Sequence, residues 1–178
     1  HPFTYKRSFS GSEEIDRAVP HVLASSQIPH QVIDFFPYGY DERQYNSPGF
    51  RLPVGSLMRG RHGQFPEYHT SADDLSFVSP KRLAESWQVL ASTLELLDGN
   101  LRYRNLFPEG EPQLGRRGLY RSLGGTDVPA QVNAMLWVLN LSDGSRSLLD
   151  VAERSGLTFT SIRSAADLLL RHGIVERA

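Results

Sequence analysis

The chain has 178 residues, of which 39% are hydrophobic, 22% charged and 10% aromatic, enough apolar material to bury a core and too much for wholesale disorder. Nineteen Lys and Arg against 20 Asp and Glu leave a net charge of -1, so the molecule as a whole offers no long-range positive field for nucleic acid or an acidic membrane. The absence of cysteine removes disulfides, thiolate zinc sites and cysteine nucleophiles together, so any metal chemistry must use His, Asp and Glu.

The chain opens on His1-Pro2-Phe3-Thr4-Tyr5-Lys6-Arg7, which lacks the apolar centre of a signal peptide, and no later run reaches the roughly 18 apolar residues of a membrane span. These features predict a cytoplasmic protein with no membrane partner. The first residue is not Met, which suggests a chain whose true beginning has been processed, cut or not included.

Ser10-Gly11-Ser12-Glu13 carries the Ser and the following acid of a helix start, and Ile15, Ala18, Val19, Val22 and Leu23 continue at helical spacing. Pro20 falls inside this pattern and predicts a kink or a late start. Gln31-Val32-Ile33-Asp34-Phe35-Phe36 reads as a strand closed by Pro37-Tyr38-Gly39-Tyr40, and Pro53-Val54-Gly55-Ser56-Leu57-Met58 as a second. Ser79-Pro80 begins a long helix marked along one face by Leu83, Trp87, Leu90, Leu94 and Leu97 and closed by Gly99.

From Leu101 to Thr126 no period is sustained, which predicts a packed connector over residues 101–127 between an α/β part, 1–100, and a small helical part, 128–178. In the latter, Val128, Val132, Met135, Leu136 and Leu139 share a helix face, Ser147 caps a second helix, and Thr158 caps a third running to Gly173. The short turn Ser155-Gly156-Leu157 is that of a helix-turn-helix, with Ile174-Val175-Glu176 available for a wing. From Val128 onward five arginines meet five acids, so nucleic acid is disfavoured as a partner. A protein partner, or a homo-oligomer through the winged helix, is the better expectation.

Chemically active side chains are densest between Tyr38 and Asp74, in loops that follow the two predicted strands. If the strands are parallel, both loops lie at their C-terminal ends, where open α/β sheets bind ligands. Taken alone, His69 beside acids is more often hydrogen-bonded than metal-bound, Asp73 and Asp74 read as a capped turn, and Asp41-Glu42-Arg43 as a solvated loop.

Tyr68-His69-Thr70-Ser71-Ala72-Asp73, followed by Val78-Ser79-Pro80 and a helix, resembles the closing segment of zinc-dependent aminopeptidases that use a co-catalytic pair of zinc ions. Together with Tyr38-Gly39-Tyr40-Asp41-Glu42-Arg43-Gln44-Tyr45 and Gln113-Leu114-Gly115-Arg116-Arg117-Gly118-Leu119-Tyr120, the chain is similar to bacterial aminopeptidase-like proteins with a C-terminal winged helix. The resemblance implies the C-terminal part of an α/β/α sheet domain followed by a winged helix-turn-helix. It also implies two zinc ions that activate water against a peptide or small amide, a glutamate base and a phenol holding the oxyanion.

By position in that resemblance, His69 is a zinc ligand and Tyr68 donates to the substrate carbonyl oxygen. Asp41, Glu42 and Arg43 line the substrate pocket or support it, with Glu42 standing where the family often carries histidine. The family's other ligands and its adjacent catalytic glutamates fall earlier than the matched region, so these 178 residues alone are not expected to hold two zincs or hydrolyse a peptide. A non-catalytic interaction module and, less favoured, a DNA-binding regulator are the competing readings.

Overall fold

The structure, a computed structural model, describes residues 1–120 and 128–178 and divides into two compact units, His1–Leu97 and Asp98–Ala178. The end of the predicted connector, 121–127, lies outside the described residues.

The first unit is built on a strand that the sequence reading did not anticipate. β1, Phe3–Lys6, is buried along its whole length and forms the middle of a three-stranded sheet in the order β2-β1-β3. Its side chains alternate, Phe3 and Tyr5 to one face and Thr4 and Lys6 to the other. β2, His30–Ile33, runs parallel to β1, with Phe3 opposite His30 and Lys6 opposite Ile33. β3, Ser56–Arg59, runs antiparallel, with Phe3 opposite Arg59 and Lys6 opposite Ser56. The condition of parallel strands therefore fails for the second loop, which leaves the sheet at the end opposite to the first.

α1, Glu14–Ser26, buries Asp16, Ala18, Val19, Val22 and Leu23. It passes through Pro20 without a late start and stops where Gln27 turns left-handed at φ 57°. The Asp16 carboxylate accepts the Glu13 backbone N–H at 3.1 Å, so it caps the helix that contains it. The same carboxylate accepts the Ser8 N–H at 2.7 Å, the Ser8 hydroxyl at 2.5 Å and the Tyr5 hydroxyl at 2.9 Å, binding the end of β1 to the start of α1.

Asp41–Tyr45, expected as loop, forms the short helix α2. Buried Asn46 closes it: its side chain donates to Glu42 O at 2.7 Å and Val54 O at 2.8 Å and accepts the Phe9 N–H at 2.9 Å. α3, Pro80–Gly99, starts and ends where Ser79-Pro80 and Gly99 predict. Arg59, at the end of β3, pairs with Glu85 of α3 at 2.8 Å and lies 4.1 Å from the Phe3 ring centroid. The buried side of α3 is Val89, Thr93 and Leu96, whereas Leu83, Trp87, Leu90 and Leu94 of the marked face are exposed.

In the second unit, β4, Arg102–Asn105, comes from the stretch read as connector and is the centre of a second sheet. Antiparallel to it on either side lie β5, Asp143–Ser147, and β6, Val175–Arg177. α4, Val128–Leu141, α5, Leu148–Ser155, and α6, Phe159–Arg171, pack through Met135, Val138, Leu149, Ile162, Ala166 and Leu169, all buried. Gly156 at φ 69° permits the tight turn between α5 and α6, and Thr158 accepts the Ser161 N–H at 3.2 Å to cap the latter. The result is a winged helix-turn-helix. Arg163, the base most suited to a groove, is only half-exposed and its guanidinium lies against Gly99.

Candidate active site

Lys6 ends β1 on the face opposite Tyr5, fully buried at 1% side-chain exposure, and a buried ammonium requires acceptors on every side. The chain leaving β2 supplies them. Lys6 Nζ donates to Tyr38 O at 2.8 Å and Phe36 O at 3.3 Å and pairs with Glu42 Oε1 at 2.7 Å, with the Phe36 ring centroid 4.5 Å away. The second Glu42 oxygen accepts the Tyr40 N–H at 3.0 Å. Burial pushes the Glu42 carboxyl up, but the Lys6 hydrogen bond and backbone N–H groups outweigh it and hold the group below the usual value. Gly39 leaves room for this contact, since a Cβ there would lie 2.9 Å from Lys6 Nζ.

The Lys6–Glu42 pair thus fixes the backbone on both sides of Gly39 and, with it, Tyr40. The Tyr40 hydroxyl shares a hydrogen bond with the hydroxyl of Tyr68, so the two loops meet although they leave opposite ends of the sheet. Around this phenol pair, His62 meets Tyr40 edge-on at 5.2 Å between centroids, Phe65 meets Tyr68 edge-on at 5.5 Å, and His69 stacks on Tyr68 at 4.0 Å. A cavity of about 50 Å³ opens beside the Lys6–Glu42 pair, lined also by Phe36, Tyr38, Met58, Arg61 and His62.

Hydrogen bonding to Tyr40, with burial adding less, pushes the Tyr68 phenol up to about 12, so it stays protonated further into alkaline pH than an ordinary tyrosine. In the Tyr40→Phe variant the Tyr68 ring should titrate closer to the ordinary tyrosine value of about 10, read by NMR of ring-labelled tyrosine. An unchanged midpoint would show that the phenols do not share a proton in solution.

Of the residues singled out from sequence, Glu42 is buried in the pair with Lys6, whereas its neighbours Asp41 and Arg43 are exposed. Tyr68 is half-buried and His69 is exposed with a left-handed φ of 58°. Glu67, directly before them, keeps one buried carboxylate oxygen without a hydrogen-bond partner. Asp74 forms the capped turn expected of it, accepting the Ser76 N–H at 2.8 Å and hydroxyl at 2.6 Å, which hold its carboxyl below the usual range. Sequence reasoning missed Lys6, Arg61 and His62. The alternation Phe3-Thr4-Tyr5-Lys6 was the available signal for the first, and nothing in the spacing of the other two marked them.

No three His, Asp or Glu side chains come together as a metal site among the described residues. His69 is one exposed imidazole, so the residues of this chain do not by themselves fit a zinc ion, still less a pair. No described helix is long and apolar enough to cross a membrane.

Residues 1–100, more than half of the chain, match the family described as a domain of unknown function (DUF4910). The chain belongs to this family. Residues 101–177 match a winged helix-turn-helix family, in agreement with the second unit. A Clostridium acetobutylicum protein, provisionally named for polysaccharide biosynthesis with an aminopeptidase-like domain, is 50% identical over 168 residues, which are 94% of this chain and 38% of that protein. A crystal structure from Clostridium acetobutylicum, provisionally described as a peptidase, superposes with a TM-score of 0.90 at 44% identity, covering 99% of this chain and 39% of that one. The chain therefore spans about two fifths of the length of these relatives.

Proposed function

We propose that residues 1–178 form the C-terminal portion of a zinc-dependent aminopeptidase-like hydrolase acting on a peptide or a related small amide in the cytoplasm. The observation that carries this reading is the Tyr40–Tyr68 phenol pair with His69 stacked on it, in a chain whose relatives are named as peptidase-like. In the proposed site Tyr68 turns its O–H from Tyr40 to the substrate carbonyl oxygen as negative charge develops there. His69 offers one imidazole to a metal site whose remaining ligands come from outside these residues. Zinc, when bound there, would supply an activated water; the residues of this chain orient and polarise the amide. Asp41 and Arg43, exposed on α2 beside the buried Glu42, would meet the free parts of a substrate.

A second reading, a non-catalytic interaction module, draws on the lack of a three-ligand cluster among the described residues. The winged helix, with balanced charge, suits contact with protein better than with nucleic acid under either reading.

The test is to produce this chain together with the region that the relatives carry beyond the match, and to measure zinc per protein and release of an amino acid from an aminoacyl amide. His69→Ala should remove about one zinc equivalent along with turnover. Tyr68→Phe should keep the zinc and lower kcat. Zinc and rate both retained in His69→Ala would overturn the ligand assignment.

A further inference from the structure

The marked face of α3 is a feature of the first unit that the proposed chemistry leaves unused. Leu83, Trp87, Leu90 and Leu94 are 61%, 70%, 49% and 67% exposed. Their spacing of four, three and four residues sets them in one seam, the pattern by which a helix inserts side chains into the holes of a facing element. Just before the helix, Leu75, at 91% exposure, and Val78 are also open. Contiguous apolar surface of this kind marks a contact in a soluble protein, whereas singly scattered apolar residues need no explanation.

Two observations bear on what covers it. From Ser86 to Leu94, the stretch that carries Trp87, Leu90 and Leu94, the helix has no charged residue, so the partner surface there is apolar and uncharged, like the inside of a domain and unlike a nucleic acid or a transient polar interface. The sheet of the same unit is also open: β2 and β3 each pair on one side only among the described residues. An unfilled helix face together with unpaired sheet edges describes a layer lacking its neighbour. The chain matches relatives of which it spans only about two fifths, leaving them a large stretch of polypeptide to supply that neighbour.

We infer that the Leu83–Trp87–Leu90–Leu94 face of α3 is the seat of the polypeptide that the relatives carry outside the matched region, and that it closes the α/β layer of the first unit. This goes beyond the proposed chemistry, because it concerns assembly and holds whether or not the assembled protein hydrolyses anything. A second copy of this chain is the competing occupant.

Hydroxyl-radical footprinting separates the two, applied to this chain alone and to the intact Clostridium acetobutylicum protein, with sedimentation on both. In this chain, Trp87 and the three leucines should oxidise at rates normal for exposed side chains, independent of concentration, while Val89 and Leu96 are protected. In the intact relative, at a concentration where sedimentation shows a monomer, the residues aligned with the seam should oxidise several-fold more slowly after correction for residue type. Equal reactivity in the monomeric relative would overturn the inference. So would protection of Trp87 in this chain that rises with concentration alongside dimer formation, which would assign the face to a second copy. The readout does not depend on activity, so it stands apart from failure of the zinc and turnover test.

Discussion

Lys6→Met is expected to lower the unfolding free energy of the first unit by about 3–5 kcal/mol, because it strands the buried Glu42 carboxylate without its counter-ion. The desolvation of both ions is offset in the native protein only by their mutual contact and by the surrounding carbonyl and N–H groups. Removing the ammonium forfeits the first of these and leaves the Phe36 and Tyr38 carbonyls facing a methyl group. Removing both charges together, as in Lys6→Met with Glu42→Leu, should recover most of the loss. Urea unfolding followed by hydrogen exchange of the β1 amides reads this unit separately from the winged helix. A loss of less than about 1 kcal/mol in the single variant would place the pair in the class of solvated surface bridges.

The same pair sets an acid limit. The Glu42 carboxyl lies below its ordinary value in the folded protein, so its contribution is complete at pH above the unfolded glutamate value of about 4.3 and is lost as the pH falls through the folded value. Stability of the first unit should therefore fall with acidification below that point, and less steeply in the doubly substituted variant.

Much of the helical framework was legible because it rests on local chemistry. Ser79-Pro80 and Gly99 bound α3, Ser155-Gly156-Leu157 makes the turn of the helix-turn-helix, and Thr158 caps α6, each through hydrogen bonds within a few residues. What escaped depends on partners far along the chain. β1 has only four residues, one of them a lysine, and nothing nearby indicates that Glu42 and two carbonyls would make its burial tolerable. β4 was hidden for the same reason: Arg102 and Arg104 alternate with a single buried Tyr103, a pattern shared with an ordinary basic connector.

The candidate site was legible only in part. Tyr68 and His69 stood out as residue types in a crowded loop, but the bond between Tyr68 and Tyr40 spans 28 residues and depends on a fold-back that spacing does not encode. The face of α3 shows the complementary error. Periodicity reports that a helix has an apolar side, and it cannot report whether the residues present supply what that side packs against.

Asp16→Ala is expected to cost about 3 kcal/mol or more, since each buried donor stranded without an acceptor costs about 1–3 kcal/mol. Asp16, 4% exposed, takes the Ser8 N–H, the Ser8 hydroxyl and the Tyr5 hydroxyl, and alanine offers none of them a substitute. The Glu13 N–H, only partly buried, can turn to water instead. Asp16→Asn keeps one acceptor oxygen and should lose distinctly less. Tyr5→Phe removes a donor together with its need for an acceptor, so its cost should stay near the roughly 1 kcal/mol of an ordinary hydrogen bond. Burial, with the Asp16 bond adding to it, pushes the Tyr5 hydroxyl well above its ordinary value. Its contribution is therefore complete below the unfolded tyrosine value of about 10 and is lost as the pH rises beyond it. The native protein should weaken above that pH, and Tyr5→Phe should reduce that alkaline slope to the part left by the raised Tyr68 phenol, while leaving the acid limb set by Glu42 in place. An alkaline slope undiminished in Tyr5→Phe would assign all of it to other groups and reduce the Tyr5–Asp16 contact to a geometric one.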